Sequence, residues 1–236
     1  MNVVIFGATG MVGQGVLRES LLADDVQLVQ TVGRAATGEL HPKIREVVHR
    51  DLSNYKPIEN QLSGFDACFF CLGVSSSGMN EAEYKRVTYG IACAAADVLF
   101  RLNPTMTFIY VSGAGTDSSE RGRIMWARVK GKTENAILNM LFAGAYMFRP
   151  GLIQPLDGIE SKTKSYRNFY KIAKYLLPFL RSTFPNHVLT TKQIGQAMLS
   201  VARRGYPKRI LESKDIRAAA LSPVLPIESS RSRYGT

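Results

Sequence analysis

Residues 7–13 read Gly-Ala-Thr-Gly-Met-Val-Gly and directly follow the apolar run Val3-Val4-Ile5-Phe6. A glycine-spaced turn between a strand and a helix can cradle a phosphate. Gly7 lets the chain turn sharply off the strand, Gly10 lets backbone approach a pyrophosphate with no Cβ in the way, and Gly13 lets the helix pack closely on the sheet. Thr9 sits inside the turn. Met11 and Val12 carry N–H groups of the first helical turn, which face the phosphate with the helix dipole behind them. About twenty residues further on, where an acid would hold the ribose 2′-hydroxyl of NAD, the chain has Val32-Gly33-Arg34. Arg34 offers a planar cation suited to a 2′-phosphate. The sequence therefore favours NADP (NADPH) over NAD, the plain alternative for Arg34 being a solvated loop arginine.

The elements around this turn alternate. Residues 26–32, 44–49, 67–72, 105–111 and 145–148 read as strands, the third a continuous apolar run of the kind buried on both faces. Residues 11–22 carry Val12, Val16 and Leu17 near helical spacing. Asn80-Glu81-Ala82-Glu83 and Thr190-Thr191-Lys192-Gln193 are capping boxes that open further helices. The first of these runs to about Leu102 and has a small-residue stretch, Ala92 to Ala96 with Cys93 inside it, suited to close packing on a sheet. The expected fold is α/β: a Rossmann-like, doubly wound, mainly parallel sheet with a small C-terminal substrate-side region. One domain is expected over residues 1–221, with a substrate-side insert at about 154–189 and a loose tail at 222–236.

Composition narrows the function. The chain has 236 residues, 45% of them hydrophobic, enough for one sizeable core. Its net charge of +11 suits nucleic acid, acidic lipid or a phosphorylated cofactor. The basic residues are spread out and no nucleic-acid motif is present, so no nucleic-acid function is expected. Cys68 and Cys71 lie three apart in a strand, on opposite faces, which argues for buried thiols over a shared metal or redox pair. The three histidines match no metal motif, and no metal is expected. No signal peptide is expected before the strand opening at Asn2, and no apolar run reaches membrane-spanning length. These features suggest a reducing cytoplasm.

The Gly-Ala-Thr-Gly-x-x-Gly form resembles the short-chain dehydrogenase/reductase superfamily, in particular its extended and atypical members, such as epimerase-like and Tat-interacting-protein-like proteins. The resemblance covers roughly residues 1–217 and implies roles further along. Asp51 and Leu52 match an Asp-apolar pair that touches adenine. Cys71, Leu72 and Gly73 match a turn that runs along the cofactor ribose. Ser112, at the end of the fifth strand, matches the substrate-polarising serine. Lys130 matches the lysine of a Tyr-x-x-x-Lys motif, which holds the nicotinamide ribose and lowers the tyrosine pKa. Pro150, Gly151 and Leu152 match the segment beside the nicotinamide. The long helix after residue 80 matches one that relatives use to dimerise, so a homodimer is a candidate assembly.

The departure is Trp126, which stands where the tyrosine belongs. An indole N–H can donate a hydrogen bond but cannot shuttle a proton at ordinary pH. Tyr84, Tyr89 and Tyr146 are candidate stand-ins. Two functions are expected in order of preference: an NADPH-dependent oxidoreductase or epimerase-like enzyme on an unidentified carbonyl or hydroxyl substrate, and a non-catalytic NADP-binding regulatory protein. They divide on whether a tyrosine or an acid reaches the space beside Ser112. A third reading lays the basic, aromatic stretch 166–180 on an acidic membrane surface.

Overall fold

A computed structural model describes residues 1–156, 158–159 and 188–221. The expected insert and tail, with the 166–180 stretch, lie almost wholly outside the described residues. Strand β1 (Asn2–Phe6) leads through the glycine turn into α1 (Met11–Leu22), followed by β2 (Leu28–Gly33), β3 (Ile44–Val48) and β4 (Ala67–Phe70). Helix α2 (Glu81–Lys85) continues through a π turn (Arg86–Gly90) into α3 (Ile91–Leu102). Then come β5 (Thr107–Val111), α4 (Met125–Leu138), β6 (Gly144–Arg149) and β7 (Leu152–Gln154). The described chain ends with β8 (Val188–Thr190), α5 (Thr191–Arg204), β9 (Ile210–Glu212) and α6 (Ser213–Leu221).

Seven strands form one sheet in the order β3-β2-β1-β4-β5-β6-β9, and every pairing in it is parallel. β7 and β8 form a separate parallel pair. The order reverses between β1 and β4, the crevice where ligands of doubly wound sheets bind. Alternation along each strand splits the core. Val4, Phe6, Cys68, Phe70 and Phe108 pack under the alanines and leucines of α3, while Val3, Ile5, Phe69, Ile109 and Phe148 pack under α1, α5 and α6. Cys68 and Cys71 fall in these two different clusters, as their spacing requires. The small-residue stretch is Ala92, Ala95 and Ala96, all without solvent exposure. On the other face, a Cβ on Gly15 would lie 2.7 Å from Thr191 Oγ-bearing Cβ, so α1 rests almost directly on the start of α5.

Both capping boxes form. Asn80 Oδ1 accepts from Glu83 N at 3.0 Å, and Glu83 Oε2 accepts from Asn80 N at 3.1 Å. Thr190 and Gln193 exchange the equivalent pair at 3.1 and 2.9 Å. The π turn is the unexpected feature. Val87, Thr88 and Gly90 are weak helix formers placed mid-helix, and there the winding loosens.

Candidate active site

The glycine turn has the geometry its spacing demands. Gly7 adopts φ +81°, and a Cβ there would lie 2.8 Å from Leu72 N. A Cβ on Gly13 would lie 2.1 Å from Gly7 O. Gly10 is different: its Cβ would meet nothing nearer than Gly7 O at 3.4 Å. The protein leaves the space over Gly10 open, which is what a phosphate needs. Helix α1 begins at Gly10 with no side-chain cap and no acid in its first turn, so the N–H groups of its start are available to an anion.

Leu72, which a Cβ on Gly7 would meet, lines one of two neighbouring cavities that share Val74. The first, about 480 Å³, is lined by Arg34, Arg50, Asp51, Leu52, Leu72 and Gly73, and by Arg86, Val87, Thr88 and Ile91. It joins the sequence-expected Arg34, Asp51, Leu52, Leu72 and Gly73 in one place. Asp51 is tied into its own turn, accepting from Ser53 N and Oγ at 3.0 and 2.6 Å, and these bonds hold its carboxyl below the usual range. Cys71 precedes Leu72 at the strand end, where burial pushes its thiol up to about 12, so it offers no thiolate. Arg50, Arg86 and Thr88 are absent from the sequence expectations. Arg86 looks like any solvated helix arginine until the fold brings the helix to the crevice.

The second cavity, about 530 Å³, is lined by Val74, Ser75, Ser76, Tyr84, Ser112, Gly113, Ala114, Trp126, Lys130, Pro150, Gly151 and Leu152. The expected catalytic and nicotinamide-side residues are thus brought together by three elements: the end of β5, the first turns of α4 and the link from β6 to β7. Loop pairing fixes them, with Ser112 N donating to Phe148 O and Ala114 N to Pro150 O, both at 2.9 Å. Gly151 N donates to Ser213 Oγ at 2.8 Å, which holds the Pro150–Leu152 link to α6.

Inside this frame the polar groups take unexpected orientations. Ser112 Oγ donates to Glu134 Oε1 at 2.5 Å, and lies 3.2 Å from Phe148 O. Glu134 is fully buried and clamped by Arg149, whose Nε reaches Oε1 at 3.0 Å and whose Nη2 pairs with Oε2. The acid beside Ser112 is therefore an ion-pair partner in the core. Lys130 Nζ donates to the Ser112 carbonyl. Trp126 packs its ring against Gly115, one helical turn before Lys130, and roofs the cavity.

Of the three stand-in tyrosines, Tyr84 lines this cavity. Tyr146 lies under the opposite sheet face, its hydroxyl accepting from Tyr206 N at 3.2 Å. Tyr89 sits between Lys85 and Lys132 on the helix exterior, away from both cavities.

Burial pushes the Lys130 ammonium down to about 8, against a smaller upward pull from Glu134. A cation with a lower pKa folded than unfolded costs the fold stability while it is charged. That cost is full below about pH 8 and fades as pH rises toward the ordinary value of 10.5, because the unfolded chain binds the extra proton in that window. The stability of the protein relative to a Lys130→Met variant should therefore rise across this window, read as the difference in urea midpoints. A flat difference would mean a solvated ammonium.

No family model matches the chain. The mitochondrial protein FMP52-2 of Scheffersomyces stipitis is 28% identical over 151 residues, a match spanning 63% of this chain and 65% of that relative. The mitochondrial FMP52 of Debaryomyces hansenii is 28% identical over 210 residues, spanning 86% of this chain and 88% of the relative. Among solved structures, the Bordetella bronchiseptica enzyme WbmF in complex with NAD+ superposes with a TM-score of 0.64 at 12% identity, covering 92% of this chain and 76% of that one. A UDP-N-acetylglucosamine 4-epimerase from Methanobrevibacter ruminantium superposes with a TM-score of 0.63 at 16% identity, covering 87% and 74%.

The relatives correct one expectation. Their names place them in mitochondria, which overturns the cytoplasmic reading. Free cysteines mark a reducing compartment without telling one such compartment from another. The strand order, the glycine turn and these likenesses agree on the fold: the chain has the Rossmann-like architecture of the WbmF and epimerase structures and is similar in sequence to FMP52 proteins.

Proposed function

We propose that the protein is an NADPH-dependent oxidoreductase acting on a carbonyl or hydroxyl group. The observation that carries this reading is the cluster of Arg34, Arg50 and Arg86 around one cavity beside the glycine turn. Among the described residues these guanidinium groups have no carboxylate partner, and the one carboxylate in the lining, Asp51, is committed to Ser53. Such a cluster matches a phosphorylated ribose better than a bare diol.

In this reading the turn from Gly7 to Gly13, with Thr9, Met11 and Val12, holds the pyrophosphate. Asp51 and Leu52 flank the adenine, Cys71, Leu72 and Gly73 follow the ribose, and Pro150, Gly151 and Leu152 border the nicotinamide. The bound dinucleotide supplies hydride transfer. Lys130 holds the nicotinamide ribose, its head already anchored at the Ser112 carbonyl. Ser112 sets the strand end, Trp126 excludes water, and Tyr84 is the phenol within the cavity that can exchange a proton with a substrate oxygen. The mitochondrial names of the relatives support a mitochondrial setting.

A second reading, a non-catalytic NADP-binding regulatory protein, is favoured by the inward turn of Ser112 Oγ onto Glu134 and by the indole at the tyrosine position.

The sole tryptophan, Trp126, gives a direct test. Titrated NADPH should quench its fluorescence at concentrations roughly tenfold or more below those needed for NADH, and Arg34→Ala should narrow the gap, as expected for a lost charge-assisted bond. Binding of neither nucleotide would overturn the proposal. Binding without NADPH consumption across a panel of aldehydes, ketones and quinones would select the regulatory reading.

A further inference from the structure

The π turn Arg86–Gly90 interrupts the long helix at the wall of the 480 Å³ cavity. In an α-helix, residues five apart point about 140° away from each other. π winding puts more residues in each turn and narrows that angle. Arg86 and Ile91, five positions apart, consequently both reach the cavity, and Val87 and Thr88 between them line it as well.

Two of these residues carry polar groups that the described protein leaves unused. Thr88 is 8% exposed, and its buried Oγ1 has no hydrogen-bond partner. A buried hydroxyl without a partner is costly, and one that lines a cavity points to a ligand that would complete it. Arg86 lines the same cavity as Arg34 and, among the described residues, makes no ion pair. Leu52, Leu72, Val87 and Ile91 also line this cavity and give it apolar surface suited to the faces of a flat heteroaromatic ring.

We infer that the π turn is the second wall of the dinucleotide site, with Arg86 binding the ribose 2′-phosphate jointly with Arg34 and Thr88 hydrogen-bonding the adenine edge. The inference rests on the NADPH reading given above, and it assigns discrimination between the two dinucleotides to the π turn as well as to the end of β2.

The two residues should fail in different ways. Arg86→Ala removes a contact to a group that only NADPH has, so NADPH affinity should fall roughly tenfold or more while NADH affinity stays within about twofold. Thr88→Val keeps the shape and removes a bond to a group both nucleotides share, so both affinities should fall together, by roughly fivefold to tenfold. Thr88→Ser keeps the hydroxyl and should bind both as the unaltered protein does. The readout is Trp126 fluorescence or calorimetry with NADPH and NADH, with far-ultraviolet circular dichroism to establish that each variant is folded.

If Arg34→Ala weakens NADPH binding while Arg86→Ala and Thr88→Val bind both nucleotides normally, the inference is overturned and the NADPH reading stands. If folded Arg86→Ala loses NADH and NADPH equally, the phosphate role of Arg86 is overturned. Failure of the unaltered protein to bind either nucleotide would sink the NADPH reading itself, and this inference with it.

Discussion

Replacing Arg149 with methionine should cost the fold about 3–5 kcal/mol, the usual consequence of leaving a buried charge without its partner. Arg149 spreads its guanidinium over Glu134, Glu212 and Ser118, with Nη1 3.3 Å from Glu212 Oε1 and Nη2 2.5 Å from Ser118 Oγ. Glu212 is partly exposed and can be re-solvated, but Glu134 cannot, because its side chain has no exposed surface. The same carboxylate accepts the Ser112 hydroxyl, so the loss reaches the end of β5 and the carbonyl that Lys130 holds. Urea unfolding should show the loss as a lower midpoint with an unchanged slope. A Glu134→Leu/Arg149→Met double variant should recover much of it, since an apolar pair of similar volume leaves no buried charge to satisfy. An equally destabilised double variant would show that the pair contributes through its own attraction.

Gly10→Ala and Gly13→Ala should separate binding from folding. At Gly13 a methyl group would lie 2.1 Å from Gly7 O and 2.8 Å from Ala8 Cα, a clash with backbone that side-chain motion cannot relieve. That variant should be destabilised by several kcal/mol, on the scale of about 1–3 kcal/mol or more for forced overpacking. At Gly10 the backbone is extended, with φ −83° and ψ 165°, and the nearest atom is 3.4 Å away. Alanine fits there, at a cost of less than about 1 kcal/mol for a poorer N-cap. In the proposed site, however, its methyl would occupy the space of the pyrophosphate. NADPH affinity should fall about a hundredfold or more, the loss expected when a phosphate is pushed off a helix N-terminus and its N–H donors. Unchanged affinity in a folded Gly10→Ala protein would remove the turn from the binding site.

The local elements were legible in the chain because their signals are local. Val3 to Phe6 followed by glycines is a strand and a turn in any context, and Asn80 with Glu83 caps a helix through atoms three residues apart. The strands β1 to β6 and the helices between them lie within a few residues of where their patterns place them. The helix from Glu81 is the instructive exception, since its apolar period gives no sign that the winding changes at Arg86.

The sequence by itself determined the parallel α/β architecture and the glycine turn, and it set Trp126 four residues before Lys130. Each of these is written in residue types over a short stretch of chain. Tertiary structure decided where the polar atoms point. Ser112 looked like a hydroxyl offered to substrate, yet its proton goes to Glu134, 22 residues away, which has to find a partner because it is buried beside Arg149. Tyr84 was one of three equivalent tyrosines until the fold put it in the cavity with Lys130 and sent Tyr146 to the other side of the sheet. Arg86 and Arg34 are 52 positions apart and line one cavity because the sheet order reverses between β1 and β4. Hydrogen bonds and ion pairs across such separations depend on which groups lose their water together, and that is fixed when strands and helices pack.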